Sequence, residues 1–306
     1  MKILVTGGAG FIGSNIVDAL IQRKDKVIVI DNLSTGRKEN LNKKAKFYEA
    51  DIADSKAVFE VFKKEKPQIV IHHAAQIDVR KSVDDPAFDA NVNIIGSINI
   101  LKGAVDNKAK KVIFASSGGT IYGECGAKAP DENAAPNPIS PYGIAKFCVE
   151  NYIKFFSSVY GIKYTILRYG NVYGPRQDPL GEAGVVAIFS KRMLSNEPVI
   201  VFGNGRQMRD YVFVGDVVDA NLRSIAKGNN QIINIGTNKT VSVLELIKVM
   251  SKVTGYAKKP TIKPKRAGEL FKNFLDYSKA KKVLGWEPKT PIASGISLTI
   301  DFFKNN

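Results

Sequence analysis

Cysteine is scarce: Cys125 and Cys148 are the two in 306 residues. They are too few for a disulfide framework and lack metal-site spacing, which excludes the small stapled folds of secreted domains. No stretch is apolar over the ~18 residues that a membrane span needs. Internal repeats and low-complexity segments are missing, which excludes solenoids and disordered tails. The N-terminus reads as a core strand, so a signal peptide is not expected. These absences describe a cytosolic globular protein.

Acidic residues are also short, 29 against 45 basic ones, for a net charge of +16. A surplus of that size raises nucleic-acid binding as one reading. The lysines, however, fall in small groups such as Lys63-Lys64, Lys110-Lys111, Lys258-Lys259 and Lys281-Lys282. No basic tail or aromatic-interleaved motif accompanies them. The expectation is therefore no nucleic-acid partner, and a surface that steers an anionic substrate inward. With 44% hydrophobic residues the chain has ample material for one large domain or two intertwined ones.

What is present begins at the first residues. Met1 to Thr6 reads as an apolar strand, followed by Gly7-Gly8-Ala9-Gly10-Phe11-Ile12-Gly13 and a helix from Ser14 to Arg23. Glycines at 7, 10 and 13 suit a sharp strand-to-helix turn in which backbone touches a ligand. The helix start then offers free N–H groups to a pyrophosphate. A second strand, Val27 to Ile30, ends at Asp31, 18 residues after Gly13. An acid at about that distance bonds the adenosine ribose of a dinucleotide and disfavours the extra phosphate of NADP. Asn32-Leu33-Ser34 would wrap the same ribose. A third strand, Lys46 to Ala50, leads to Asp51-Ile52. There the acid either accepts from the adenine amino group or caps the helix Ser55 to Lys64.

Gln68 to Ala75 is a continuous apolar run suited to a buried parallel strand. Its adjacent His72 and His73 point to opposite faces, so no metal site is expected. Ala74 and Ala75 are small enough for close cofactor approach, and a loop from Gln76 to Ser82 follows. Asp89 to Val105 reads as one long helix carrying Asn93 and Asn99, each expected to bond water or backbone. The strand from Lys111 leads into Ser116-Ser117. Ser140-Pro141 starts a helix that carries Tyr142 and Lys146, and Ile162 to Tyr169 is a further strand. Beyond residue 170 the strand–helix alternation loses its regularity. We expect an α/β fold: a Rossmann-type doubly wound parallel sheet over 1–170, with parts of 210–235 returning to it. A smaller, interleaved lobe spans 171–306.

Tyr142 and Lys146 stand four apart and share a helix face. A tyrosine is a poor base at neutral pH. An adjacent ammonium and a cationic nicotinamide favour its phenolate, which then takes a proton from an alcohol as hydride leaves the same carbon. Ser117 is placed to orient that hydroxyl. Tyr277 and Lys281 have the same spacing without an upstream serine strand, and read as a solvated helix face.

Read together, these motifs resemble the extended short-chain dehydrogenase/reductases of the NAD-dependent nucleotide-sugar epimerase/dehydratase group. They include the glycine loop, Asp31-Asn32-Leu33-Ser34, Ser116-Ser117, Ser140-Pro141-Tyr142-Gly143-Ile144-Ala145-Lys146, Leu167 to Gln177, Arg209-Asp210-Tyr211-Val212 and Arg266-Ala267-Gly268-Glu269. The likeness covers the whole chain. It implies NAD as cofactor and a UDP-sugar as substrate. Ser117, Tyr142 and Lys146 would be catalytic. NAD would be held by Gly7, Gly10, Phe11, Ile12, Gly13, Asp31, Asn32, Ser34, Asp51, Ile52, Ala74, Ala75, Gln76, Asn93, Tyr142 and Lys146. Asn171, Arg209 and Arg266 would grip the diphosphate, Ile200 to Phe202 would line the uracil, and Glu269 would meet the uridine ribose. Ser116 competes with Ser117 for the working hydroxyl.

Dehydratases of the group carry an Asp-Glu pair where this chain has Gly118-Gly119, and the nearest acid is Glu124. The implied activity is therefore interconversion of UDP-glucose and UDP-galactose. It proceeds by transient oxidation at carbon 4 and hydride return to the opposite face. The alternatives are UDP-N-acetylglucosamine or UDP-glucuronate as substrate, and an NAD-containing RNA-binding or structural protein on the same fold. A homodimer is implied, formed by the Asp89–Val105 and Tyr142–Tyr160 helices. Phe147, Phe155, Phe156 and Tyr160 would supply its apolar surface.

Overall fold

A computed structural model describes residues 1–180, 184–265 and 270–305. Its centre is a seven-stranded sheet in the order β11-β6-β5-β4-β1-β2-β3. These strands are β1 (Lys2–Thr6), β2 (Lys26–Asp31), β3 (Lys46–Glu49), β4 (Ile69–His72), β5 (Lys111–Ser117), β6 (Lys163–Tyr169) and β11 (Gln231–Ile235). Every pairing in it is parallel. Parallel strands buried on both faces need apolar side chains throughout, and Ile3, Leu4, Val5, Val70, Ile71 and Ile113 are at most 0% exposed.

Two helix layers cover the sheet. On one face lie α1 (Phe11–Gln22) and α9 (Val214–Ala226), with Ile16, Val17, Leu20, Val217 and Ala220 in one core. On the other lie α2 (Ser55–Glu65), α5 (Gly96–Asp106) and α7 (Pro141–Tyr160), with Val58, Phe62, Ile100, Leu101, Val149 and Ile153 in a second core. The chain leaves β1 in opposite directions, through β2 and β3 on one side and β4 to β6 on the other. A crevice forms at the carboxyl ends between β1 and β4, where ligands bind in such folds.

A third core is built by α8 (Val185–Leu194), α10 (Val243–Thr254) and α12 (Ile292–Asn305), around Phe189, Met193, Leu246, Met250 and Ile296. Three small sheets adjoin it. β7 (Asn171–Tyr173) pairs with β10 (Tyr211–Phe213), and β8 (Ile200–Phe202) with β13 (Thr261–Lys263). β9 (Met208–Arg209) lies between β12 (Val241–Ser242) and β14 (Lys272–Asn273).

Several expectations are corrected. The segment expected as one helix from Asp89 is α4 (Pro86–Ala90), a π-helical turn over Asn91–Ile95, and then α5. The Ser97 hydroxyl donates to the Asn93 carbonyl at 2.5 Å, and the Asn93 side chain turns away to bond Gln76 and Asp89. Side-chain bonds of this kind accompany a widened turn. The Gln76–Ser82 loop runs into a short helix, α3 (Val79–Asp84), capped by Asp78. Asp54, not Asp51, caps α2. β9 and β10 are parted by Asp210, whose buried carboxylate turns aside to accept from the backbone N–H groups of Thr237, Asn238 and Leu275.

Candidate active site

The glycine loop closes on itself. Gly7 has φ +69°, and a Cβ there would stand 2.8 Å from the Ala74 nitrogen. At Gly13 a Cβ would fall 2.0 Å from the Gly7 oxygen. At Gly10 the nearest atom to a Cβ is the Gly7 oxygen at 3.2 Å, so the missing side chain leaves a cradle above the loop. Gly10 is also the N-cap of α1 with no side chain to bond the first turn, so those N–H groups stay free for an anion. Phe11 and Ile12 are half-buried in that turn. This donor set fits a dinucleotide pyrophosphate.

The ribose end is built on Asp31, which is 7% exposed. Its oxygens accept from Ala9 N and Leu33 N, both at 2.9 Å, which ties the glycine loop to the turn after β2. Asn32 donates to Asp51 Oδ2 at 2.8 Å and accepts from Ser34 N. Asp51 also accepts from Ala53 N, and Asn99 donates to the Ile52 carbonyl. Asn32, Ser34, Asp51 and Ile52 therefore form one continuous edge of the crevice.

Thr6 fixes the other edge. Its hydroxyl accepts from the N–H groups of His73 and Ala74, and lies 2.6 Å from His72 Nδ1. His72 and His73 diverge as expected: His72 Nε2 reaches Ser97, and His73 Nε2 reaches the Tyr169 hydroxyl. Burial, with Lys146 adding to it, pushes His73 down to about 3. No metal-like cluster exists among the described residues. Asn93 accepts from Gln76 N and donates to the Gln76 carbonyl, both at 2.9 Å, and so holds the loop beyond Ala74 and Ala75.

Ser140 caps α7 by accepting from Gly143 N, with Pro141 at the first position. In the first turn, Tyr142 is half-buried, and its backbone N–H donates to Ser82 Oγ. Lys146 is 4% exposed. Its ammonium donates to the Ala115 carbonyl at 3.0 Å and lies 5.7 Å from the Tyr142 ring centroid. Burial lowers Lys146 to about 8, with Asp89 opposing the fall. Burial, and then Asp89, push the Tyr142 phenol well above its ordinary value.

Ser116 and Ser117 part company at the end of β5. Ser116 is 3% exposed and donates to Glu150 Oε1 at 2.7 Å. Ser117 is half-buried and shares a small space with two asparagines. A Cβ built on Gly119 would lie 3.7 Å from Ser117 Oγ, 3.8 Å from Asn171 Oδ1 and 3.9 Å from Asn273 Oδ1. Glu124 accepts from the N–H groups of Phe271 and Lys272, so the nearest acid braces backbone. Ile200 and Phe202 stand on β8. Arg209 donates to the carbonyls of Leu270 and Phe271. Arg266 and Glu269 lie outside the described residues.

Comparison with known proteins shows the family. The family model described as the NAD dependent epimerase/dehydratase family matches residues 3–236. The chain belongs to the NAD-dependent epimerase/dehydratase family. The UDP-glucose 4-epimerase of Mycolicibacterium smegmatis is 42% identical over 311 residues, covering 100% of this chain and 99% of the relative. The crystal structure of the Thermotoga maritima UDP-glucose 4-epimerase with UDP-glucose superposes with a TM-score of 0.98 at 53% identity. It covers 100% of this chain and 99% of that one. The Thermus thermophilus UDP-glucose 4-epimerase in complex with NAD gives a TM-score of 0.95 at 42% identity, covering 99% of each chain.

The structure gives some residues a role that the sequence does not show. Arg168 and Asp210 stand inside the quoted motifs, yet their charge gave no hint that both are buried. Arg168 grips Glu150 through two nitrogens and donates to the Tyr122 hydroxyl. Thr6, Ser82, Asp89 and Asn273 were not singled out, because a lone polar residue beside an apolar run carries no signal of its partners.

Proposed function

We infer that this chain interconverts UDP-glucose and UDP-galactose by inverting carbon 4 of the sugar. The observation that carries the reading is the match of the full chain to UDP-glucose 4-epimerases, and the buried Lys146 beside the Tyr142 ring supports it. Bound NAD supplies a reversible acceptor for the hydrogen on carbon 4. Gly7, Gly10, Gly13, Asp31 and Asn93 hold it in the crevice, with the other crevice residues named above. Tyr142 takes the proton of the 4-hydroxyl and gives it back after the sugar has turned. Ser117 orients that hydroxyl, and Lys146 supplies the positive charge that makes the phenolate accessible. Asn171, Arg209 and Arg266 anchor the diphosphate while the sugar moves, with Ile200, Phe202 and Glu269 around the uridine. Elimination of water is disfavoured, because Gly118 and Gly119 stand at the acid–base positions and Glu124 is engaged by backbone.

In this reading residues 1–170, with the returning segment within 210–235, form the cofactor lobe, and the rest of 171–306 forms the UDP-sugar lobe. No helix among the described residues is long and apolar enough to cross a membrane, and a cytoplasmic location is part of the proposal. So is a homodimer through α5 and α7. Ile144, Tyr152, Phe155 and Val159 form an exposed stripe at helical spacing on α7, 54%, 38%, 53% and 56% exposed, with Ile95 nearby at 46%. Tyr160 extends that surface, whereas Phe156, expected there too, is buried in the second core.

The test is conversion of UDP-galactose to UDP-glucose by the purified chain without added NAD. Turnover with cofactor retained supports the reading. Binding of both ligands without turnover would contradict it.

A further inference from the structure

Asp89 closes α4 just before the π-helical turn and is 1% exposed. Its Oδ1 accepts from Gln76 Nε2 and from Asn93 Nδ2, both at 2.9 Å. Its Oδ2 is buried with no hydrogen-bond partner among the described residues. An ionised carboxylate offers acceptor sites on both oxygens. Burying one of them bare is strongly unfavourable unless a positive charge stands within reach. α4 packs directly against α7, the helix that carries the buried Lys146.

We propose that Asp89 is a positioning residue of the reaction: one oxygen braces Gln76 and Asn93 at the cofactor crevice, and the bare oxygen sets the charge balance of the Tyr142–Lys146 pair. The proposal rests on the epimerase reading. The electrostatics agree with the geometry. Asp89 lifts Lys146 against burial and lifts Tyr142 further, while Lys146 in return opposes the burial that raises Asp89.

The physical need is clear from the site's other charges. Lys146 is buried close to His72 and His73, which are both held neutral. A cationic nicotinamide would add a second positive charge. Both burial and that cation push the ammonium to lose its proton, and Asp89 is the buried acid that opposes them. The remaining charged groups around α4 face outward. Arg80 of α3 pairs with Asp78, Lys81 lies over the Phe88 ring, Asp84 is exposed, and Asp85 caps α4.

Asp89→Asn tests the idea, because the amide oxygen keeps the place of Oδ1 for Gln76 and Asn93 while the charge goes. Asp89→Glu keeps the charge. In cofactor-free protein labelled with 13C-lysine, the Lys146 resonance, assigned with Lys146→Ala, should titrate near 8. Its midpoint should fall by ~1 unit in Asp89→Asn and hold in Asp89→Glu. In the loaded enzyme both limbs of the kcat–pH profile should move to lower pH by a similar amount in Asp89→Asn alone. A Lys146 midpoint and profile that stay put while kcat drops would overturn the proposal and leave Asp89 a brace only. If the wild-type chain gave no turnover, the epimerase reading would fail instead, and the lysine titration would still decide the electrostatic role.

Discussion

The Ser116 hydroxyl donates to Glu150 Oε1 at 2.7 Å, and Glu150 is itself gripped by Arg168 at 2.6 and 2.8 Å. That network engages Ser116 and favours Ser117, half-buried near Asn171 and Asn273, as the proposed working hydroxyl. Ser117→Ala should lower kcat by at least ~10-fold, as loss of a hydrogen bond to a charge-bearing transition state does. Ser116→Ala should instead cost ~0.5–1.5 kcal/mol of stability by removing one of the two donors to Glu150 Oε1, with kcat largely kept. Steady-state assays beside chemical denaturation separate the two.

Glu150 and Arg168 join α7 to β6 with side chains 0% and 2% exposed. Removing one partner strands a buried charge. Glu150→Gln is expected to destabilise the fold by ~3–5 kcal/mol. A midpoint of urea unfolding unchanged from wild type would contradict this.

The parallel sheet, though not the order of its strands, and the placing of Gly7, Asp31, Tyr142 and Lys146 on their turns and helix are legible in the sequence, because each rests on local periodicity, turn chemistry or helix spacing. The π-helical turn was not. It depends on Asn93 and Ser97 meeting partners that only the tertiary fold brings near. For the same reason Tyr277 read as solvated. In the fold its ring packs edge-on against the fully buried Trp286, 6.1 Å between centroids, while Lys281 does reach outward to pair with Glu287. The choice between Ser116 and Ser117 likewise needed Glu150, 34 residues away. Arg266 and Glu269 lie outside the described residues and keep their sequence-based roles as proposals.

Acid should destabilise the protein through His73. Its folded value, about 3, lies below the ordinary 6.5, so the unfolded chain binds a proton first. Stability from this group is complete above ~6.5 and is lost as pH falls toward 3. His73→Phe should flatten the acid limb of a Tm–pH curve. An unchanged limb would count against the buried neutral imidazole.

Lys146 gives a slope of the same sign on the alkaline side. Its value is lowered from 10.5 to about 8, so between those pH values the unfolded chain holds the proton and the folded chain does not. The Lys146 contribution to stability therefore rises with pH across that window. Lys146→Met should remove this rise, read from urea midpoints at a series of pH values.

For the proposed dimer, Phe155→Glu with Val159→Glu places two charges in the exposed stripe of α7. The wild-type chain should sediment at twice the 33.5 kDa chain mass and the double variant at the single mass. A wild-type monomer at micromolar concentration would sink the interface.

The most direct test of the account is the turnover of Tyr142→Phe, measured beside Tyr277→Phe in the same epimerase assay with NAD content determined on each purified protein. Tyr142→Phe removes one oxygen and keeps the ring, and Gly7, Gly10, Gly13 and Asp31 are untouched. NAD should therefore remain bound while turnover of UDP-galactose falls by ~10²–10⁴-fold, the usual weight of a general base. Tyr277→Phe keeps its packing on Trp286 and should turn over at the wild-type rate. Near-normal turnover by Tyr142→Phe with cofactor bound would contradict the assignment of Tyr142 as the proton carrier.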